Sequence, residues 1–196
     1  MSKYILAILL VSLFTLHAVA EDGTKDELTI NTTESIIQWT ARKVTGKHTG
    51  TVSVKEGKVE MNDGIMTKAN ITIDMTSITV EELTGKSKTD LEGDLKSDRF
   101  FGVEKFPTAS LVTTSVIGID EGDYRITANL TIRGITHPIT FDAQVIPDGK
   151  KYRARANLVV DRTLYEVRYG SGKFYDDLGD ATIYDDFDLK ISLTIE

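Results

Sequence analysis

Two-residue alternation of apolar and polar side chains runs through most of this chain, and it restricts the fold more than any other feature. Ile37, Trp39 and Ala41 alternate with Gln38, Thr40 and Arg42. Ala69, Ile71, Ile73 and Met75 are separated by Asn70, Thr72 and Asp74. Tyr124, Ile126, Ala128, Leu130 and Ile132 repeat the pattern, as do Ile139, Phe141, Ala143 and Val145. Tyr152 to Val160 and Phe187 to Ile195 complete it. A period of two puts one side of a strand in a core and the other in water. Asn62-Asp63-Gly64, Glu121-Gly122-Asp123 and Pro147-Asp148-Gly149 supply turns between these runs. The pattern predicts eight or nine strands in an all-β fold, an antiparallel sheet closed into a barrel or folded into a sandwich. Alternation alone does not separate the two.

Two segments break the period. Residues 80–107 hold Leu91 and Leu95 four apart, with Thr89 or Asp90 positioned to cap a short helix, and then Phe100, Phe101 and Phe106. Residues 161–186 are rich in Tyr, Gly and Asp. Irregular stretches of this length in a compact β domain usually carry function, and their aromatic content argues against disorder.

Residues 1–20 read as a secretory signal peptide: Lys3, an apolar run from Ile5 to Leu16, and Ala18-Val19-Ala20 as the cleavage signal. The expected mature domain is 21–196, periplasmic or secreted, and no later run is long enough to span a bilayer as a helix. The chain carries a formal charge of −7, and loss of residues 1–20 removes one lysine and no acid. That balance argues against nucleic acid and anionic membrane surfaces as partners. There is no cysteine, which removes disulfides, thiolate metal sites and thiol nucleophiles together.

Six alanines (Ala41, Ala69, Ala128, Ala143, Ala154 and Ala156) sit in register with the apolar faces, where alanine is a poor strand residue. Small residues there serve either the taper of a filled barrel or a cavity for one ligand. Catalytic chemistry finds little footing. Beyond the leader only His48 and His137 remain, and neither has a serine nucleophile in a recognisable setting; Gly170-Ser171-Gly172 lacks the flanking glycine frame. His137, before Pro138, is expected at the surface at the start of a strand. His48 lies in a glycine-flanked run that either faces a barrel mouth or is turn chemistry. The acids from Asp176 to Asp188 do not have the spacing of an EF-hand loop, so no metal site is expected.

Several stretches together resemble one known family. Trp39 with Lys43, Gly46-Lys47-His48-Thr49-Gly50 and Gly57 are similar to the opening of the YceI-like family. Asp74-Met75-Thr76-Ser77-Ile78 resembles one of its strand ends. Leu91 to Phe101 is similar to its L-x-x-x-L-x-S-x-x-F-F segment, and Lys105-Phe106-Pro107-Thr108-Ala109 to its Y/F-P-x-A/I continuation. Leu130 to Pro138 resembles L-T-I-x-G-x-T-x-P, and Asp161-Arg162 through Tyr169-Gly170-Ser171-Gly172 the C-terminal loop. The chain departs from many members at Asp94, where they carry histidine.

The resemblance implies an extended antiparallel, eight-stranded, lipocalin-like barrel with one short helical insertion near 88–98. It implies an exported binding protein, not an enzyme, that holds a polyisoprenoid or other amphiphilic lipid in an apolar interior and needs no cofactor. In such a barrel the alternating apolar faces give Trp39, Ile71, Ile73, Ile126, Leu130, Phe141 and Leu158 as the expected lining. The expected mouth is Lys47, His48, Arg99, Phe100, Phe101, Arg162, Tyr165, Arg168 and Tyr169, with Arg162 and Arg168 as grips for an anionic head. The other reading of those two arginines is pairing with Asp161, Asp176 or Asp177. A homodimer stays open. The rival functions are an envelope hydrolase using a carboxylate pair and an interaction module with a filled barrel.

Overall fold

The computed structural model describes residues 24–196; the expected signal peptide, residues 1–20, lies outside the described residues. The strands are β1 (Lys25–Thr29), β2 (Ile36–Lys43), β3 (Gly46–Asn62), β4 (Ile65–Val80), β5 (Thr108–Asp120), β6 (Asp123–Ile132), β7 (Ile135–Asp148), β8 (Lys151–Asp161) and β9 (Ile183–Ile195). One helix, α1 (Gly85–Lys96), interrupts them between β4 and β5. Eight strands, β2 to β9, pair each with the next, and β9 returns to β2, so the sheet is a closed antiparallel barrel. Closure removes the exposed edges that would otherwise recruit another chain. β1 lies in line with β2 along the same edge of β3: β2 takes Gly46–Val52, β1 takes Lys58–Asn62.

Turn chemistry sets the registers. At the β3–β4 hairpin Asp63 and Gly64 both take positive φ, 50° and 77°, as a type I′ turn demands. Arg133 and Gly134 do the same between β6 and β7, at 53° and 74°. Near its end β4 bulges. Its pairing with β3 jumps from Ser53↔Asp74 to Thr51↔Thr79, and the Met75 N–H donates to the Pro107 carbonyl instead of to a strand. The bulge turns the last residues of β4 toward α1.

The helix begins at Gly85, three residues before the expected 88, so Thr84 stands at its N-cap and neither Thr89 nor Asp90 caps it. Lys86 pairs with Asp90 one turn on, which extends the helix upstream. Glu92 accepts from the Val80 N–H at 2.9 Å, and Leu95 is buried, so α1 is fixed on the end of β4. Among the described residues no helix is long and apolar enough to cross a membrane.

The barrel has two halves of different character. The half nearest the β3–β4 hairpin is filled: Val54, Val59, Met61, Met66, Ala69, Ile126, Ala128, Val145 and Ile195 are all buried. Each of the larger aliphatic side chains contributes about 1.5–3 kcal/mol by leaving water. Two of the polar groups of this half are paired, while Asn62 Oδ1 at the hairpin is buried without a partner among the described residues. The Thr113 hydroxyl accepts from the Ala69 N–H at 2.9 Å, and the Tyr124 hydroxyl from the Met66 N–H at 3.2 Å. The other half, under α1, is hollow.

Candidate functional site

The hollow half encloses an apolar cavity of about 150 Å³. Its walls come from β2 (Ile37, Trp39, Ala41), β4 (Ile71, Ile73, Met75, Ile78), β5 (Ala109, Leu111), β6 (Leu130, Ile132), Leu158 of β8 and the inward row Phe187, Leu189, Ile191, Leu193 of β9. Alternation along each strand delivers these side chains inward. Apolar cavities of about this size stay dry and take up apolar guests.

Trp39 is seated by Gly50, its cross-strand partner. A Cβ on Gly50 would lie 1.8 Å from the Thr79 carbonyl oxygen and 2.6 Å from the indole ring, so only glycine lets the indole lie flat on β3. The indole Nε1–H makes no hydrogen bond among the described residues.

Two irregular segments close this end. From the first come Leu95, Phe100 and Phe101; from the second, Arg162, Val167, Ile183 and Tyr184. They meet edge to face at Phe100 and Tyr169, with centroids 5.5 Å apart, and Phe101 lies edge-on to Phe187 of β9 at 6.4 Å. The Arg99 guanidinium lies 4.8 Å above the Tyr169 ring. Arg133 donates to the carbonyls of Asp98 and Phe100 and so ties the first segment to the β6–β7 turn.

Of the expected lining residues, Trp39, Ile71, Ile73, Leu130 and Leu158 border the cavity. Ile126 is buried in the filled half, and Phe141 packs half-buried against the core without reaching the cavity wall. The same alternation put them inward; their height along the barrel decides what they meet. Phe187, Leu189 and Ile191 were legible as an inward row, whereas Val167 and Ile183 lie where no period exists to point them inward.

The expected mouth divides. Phe100 and Phe101 line the cavity, and Arg99 and Tyr169 stack beside them. Lys47 is exposed. His48 Nδ1 lies 2.6 Å from Glu82 Oε1, and Glu82 Oε2 accepts from the Thr49 N–H, which joins the start of β3 to the end of β4. Burial pulls the Glu82 carboxyl up, but the hydrogen bonds from Thr49 and His48 outweigh it and hold the group below its ordinary value.

Arg162 is not a free cation at a rim. It starts a 3-10 turn, Arg162–Tyr165, and its side chain is buried. Nε donates to the Tyr184 carbonyl at 3.1 Å, Nη1 to Val167 at 2.6 Å and Tyr169 at 3.0 Å, and Nη2 to Ile183 at 2.9 Å. Asp185 is its nearest carboxylate, at 3.7 Å, rather than any of the three expected. A guanidinium with its donors spent on four carbonyls holds a loop and leaves little for a ligand. Arg168 is exposed, pairs with Glu166 at 2.6 Å and covers the Phe174 ring at 4.6 Å. Asp161 caps the 3-10 turn, accepting from the Thr163 N–H and hydroxyl and from Lys173; burial raises its carboxyl, and these donors together bring it below its ordinary value. Tyr165 is buried, edge-on to His137 with centroids 5.3 Å apart, and burial raises its phenol. His137 lies near the start of β7, as expected, half-buried and with Nε2 3.0 Å from the Leu164 carbonyl.

Barrels of this shape occur among proteins of known structure. BcnA of Burkholderia cenocepacia superposes with a TM-score of 0.68 at 18% identity, over 84% of this chain and 98% of that one. A polyisoprenoid binding domain from Saccharophagus degradans superposes with a TM-score of 0.63 at 13% identity, over 86% and 97%. At these identities the likeness is one of fold. A UPF0312 protein of Shewanella denitrificans is 32% identical over 97 residues, a stretch covering 50% of this chain and 42% of that relative. This chain thus spans less than half the length of the curated relatives it matches. The profile of the YceI-like domain matches residues 28–195, nearly all of the barrel. The chain belongs to the YceI-like domain family.

Proposed function

We propose that this protein is an exported carrier that holds a polyisoprenoid or another amphiphilic lipid in the hollow half of its barrel and performs no chemistry on it. The observation that carries this reading is the cavity itself, walled by aliphatic and aromatic side chains and capped by two aromatic-rich segments. Water gains nothing there, whereas an isoprenoid tail gains about 25 cal/mol for each Å² of its surface that leaves water. The cavity accepts a short stretch of chain as it stands. A longer lipid displaces Phe100 and Phe101, whose side chains are held by ring and other apolar contacts. The Saccharophagus domain, described as polyisoprenoid binding, supports the ligand class. Export rests on the signal in residues 1–20. The rival hydrolase has no support at the cavity, whose lining side chains include no carboxylate.

Native mass spectrometry of the protein purified from its own host tests the reading. A discrete adduct that extracts into organic solvent as a lipid is the expected result. A bare protein mass, together with no uptake of farnesol or longer polyprenols in a titration, rejects it.

A further inference from the structure

We propose that lipid enters and leaves this barrel sideways, through the seam between β7 and β8; this rests on the lipid-carrier reading above. β7 and β8 pair only from Ala143↔Ala156 to Asp148↔Lys151. β7 begins at Ile135, and β8 continues to Asp161, so Ile135–Asp142 and Asn157–Asp161 face one another without ladder hydrogen bonds. The outer neighbours show no such break. β6 follows β7 along its whole length to Ile132↔Ile135, and β8 follows β9 to Asp161↔Asp186. The wall therefore lacks a β7–β8 ladder along its capped, hollow end, and this unladdered stretch is the wedge.

Side chains hold the wedge in place of backbone bonds. At its capped end the 3-10 turn after β8 leans across to β7 through the His137–Leu164 hydrogen bond and the His137–Tyr165 ring contact. At its foot an outer groove of about 790 Å³ runs over Ala143 of β7, Ala156 of β8 and Ile191 of β9, so the last ladder pair of the seam lies under a surface hollow. The polar side of the same groove carries Arg155 and Lys190 together with Asp123 and Asp142.

The alternative passages require more to break: β4 and β5 also pair over a short ladder, Asn70↔Val112 to Asp74↔Thr108, but that ladder runs along the cavity wall at Ile71, Ile73, Ala109 and Leu111. Lifting the cap costs the four carbonyl bonds of buried Arg162 and those of Arg133. Parting any fully paired strands costs a run of ladder bonds, each leaving a donor and an acceptor unpaired. Parting the seam costs one hydrogen bond and apolar contacts that the passing lipid itself replaces.

The sole tryptophan, Trp39, lines the cavity, so energy transfer from it to dansyl-farnesol delivered from phosphatidylcholine vesicles reads the arrival of the lipid. Thr140 and Val159 are exposed on the two lips, and the chain has no cysteine of its own. Thr140→Cys with Val159→Cys, bridged by a short bismaleimide and verified by mass, is expected to load at least tenfold more slowly than the unbridged double variant. The same bridge between Glu60→Cys and Lys68→Cys, on the continuous β3–β4 wall, is expected to leave the rate unchanged. His137→Ala is expected to speed both loading and release several-fold with the equilibrium affinity unchanged. Loading at the unbridged rate with the seam strapped, or no change of rate in His137→Ala, overturns the proposal. Failure of the unmodified protein to take up dansyl-farnesol at all overturns the carrier reading, and the portal with it.

Discussion

Arg162 and Arg168 sit six residues apart on one loop, yet they differ in every physical respect. The first is buried with its donors shared among four carbonyls; the second is a surface cation beside Glu166. Removing a buried charged hub strands its partners and typically costs about 3–5 kcal/mol. An exposed ion pair contributes about 0–1 kcal/mol. Arg162→Met is therefore expected to lower the denaturation midpoint strongly and Arg168→Met hardly at all, by urea unfolding followed through Trp39 fluorescence. Equal midpoints for the two variants would remove Arg162 from its structural role. Sequence could not rank these residues, because burial of an arginine is decided by carbonyls brought in from Tyr184 and Ile183, some twenty residues away. It could rank Trp39, whose place in an alternating strand fixes its direction, although its partner Gly50 emerges only from the register.

At the scale of elements, alternation tells which face a residue takes and is silent about which strand it pairs with. Hence the strands were legible and the seam was not: Ile139, Phe141 and Ala143 alternate without a break through the point where β7 leaves β8. The irregular segments were legible as interruptions, and they do come together over one end, but their internal bonds were not. Two of those bonds carry a pH dependence. Asp161 holds the 3-10 turn after β8, and Glu82 joins β3 to the end of β4; both carboxyls are held below their ordinary values in the folded protein. The unfolded chain then binds protons more readily than the folded one, so stability rises with pH through this range. The contribution is complete above the ordinary carboxylate values, about pH 4, and is lost as pH falls through the lower folded values. Melting temperature measured from pH 6 down to pH 3 is expected to fall at the acid end, with amide exchange at Thr49 and Thr163 rising first. Asp161→Asn has no proton to gain there, so its acid slope is expected to be shallower than that of the unaltered protein. A slope equal to the unaltered one would take Asp161 out of the account.

For the molecule as a whole, the small residues in the apolar rows left two readings open, a tapered filled barrel and a hollow one. The barrel is both, divided along its length. Ala69 and Ala128 are buried in the filled half, where larger residues such as Met61 and Met66 occupy the space they leave. Ala41 lies at the cavity wall in the other half. One substitution made at both heights therefore separates the two roles. Ala128→Leu inserts three carbons where none of the side chain is exposed, and overpacking of that kind costs about 1–3 kcal/mol. Ala41→Leu extends into open space, so it is expected to cost little stability and to occlude the cavity. Calorimetry should then show a lowered melting temperature for Ala128→Leu with farnesol uptake intact, and the reverse for Ala41→Leu. A barrel hollow throughout would lose uptake in both variants and stability in neither. A barrel filled throughout would lose stability in both, because Ala41 would then have neighbours in the space that the cavity now occupies.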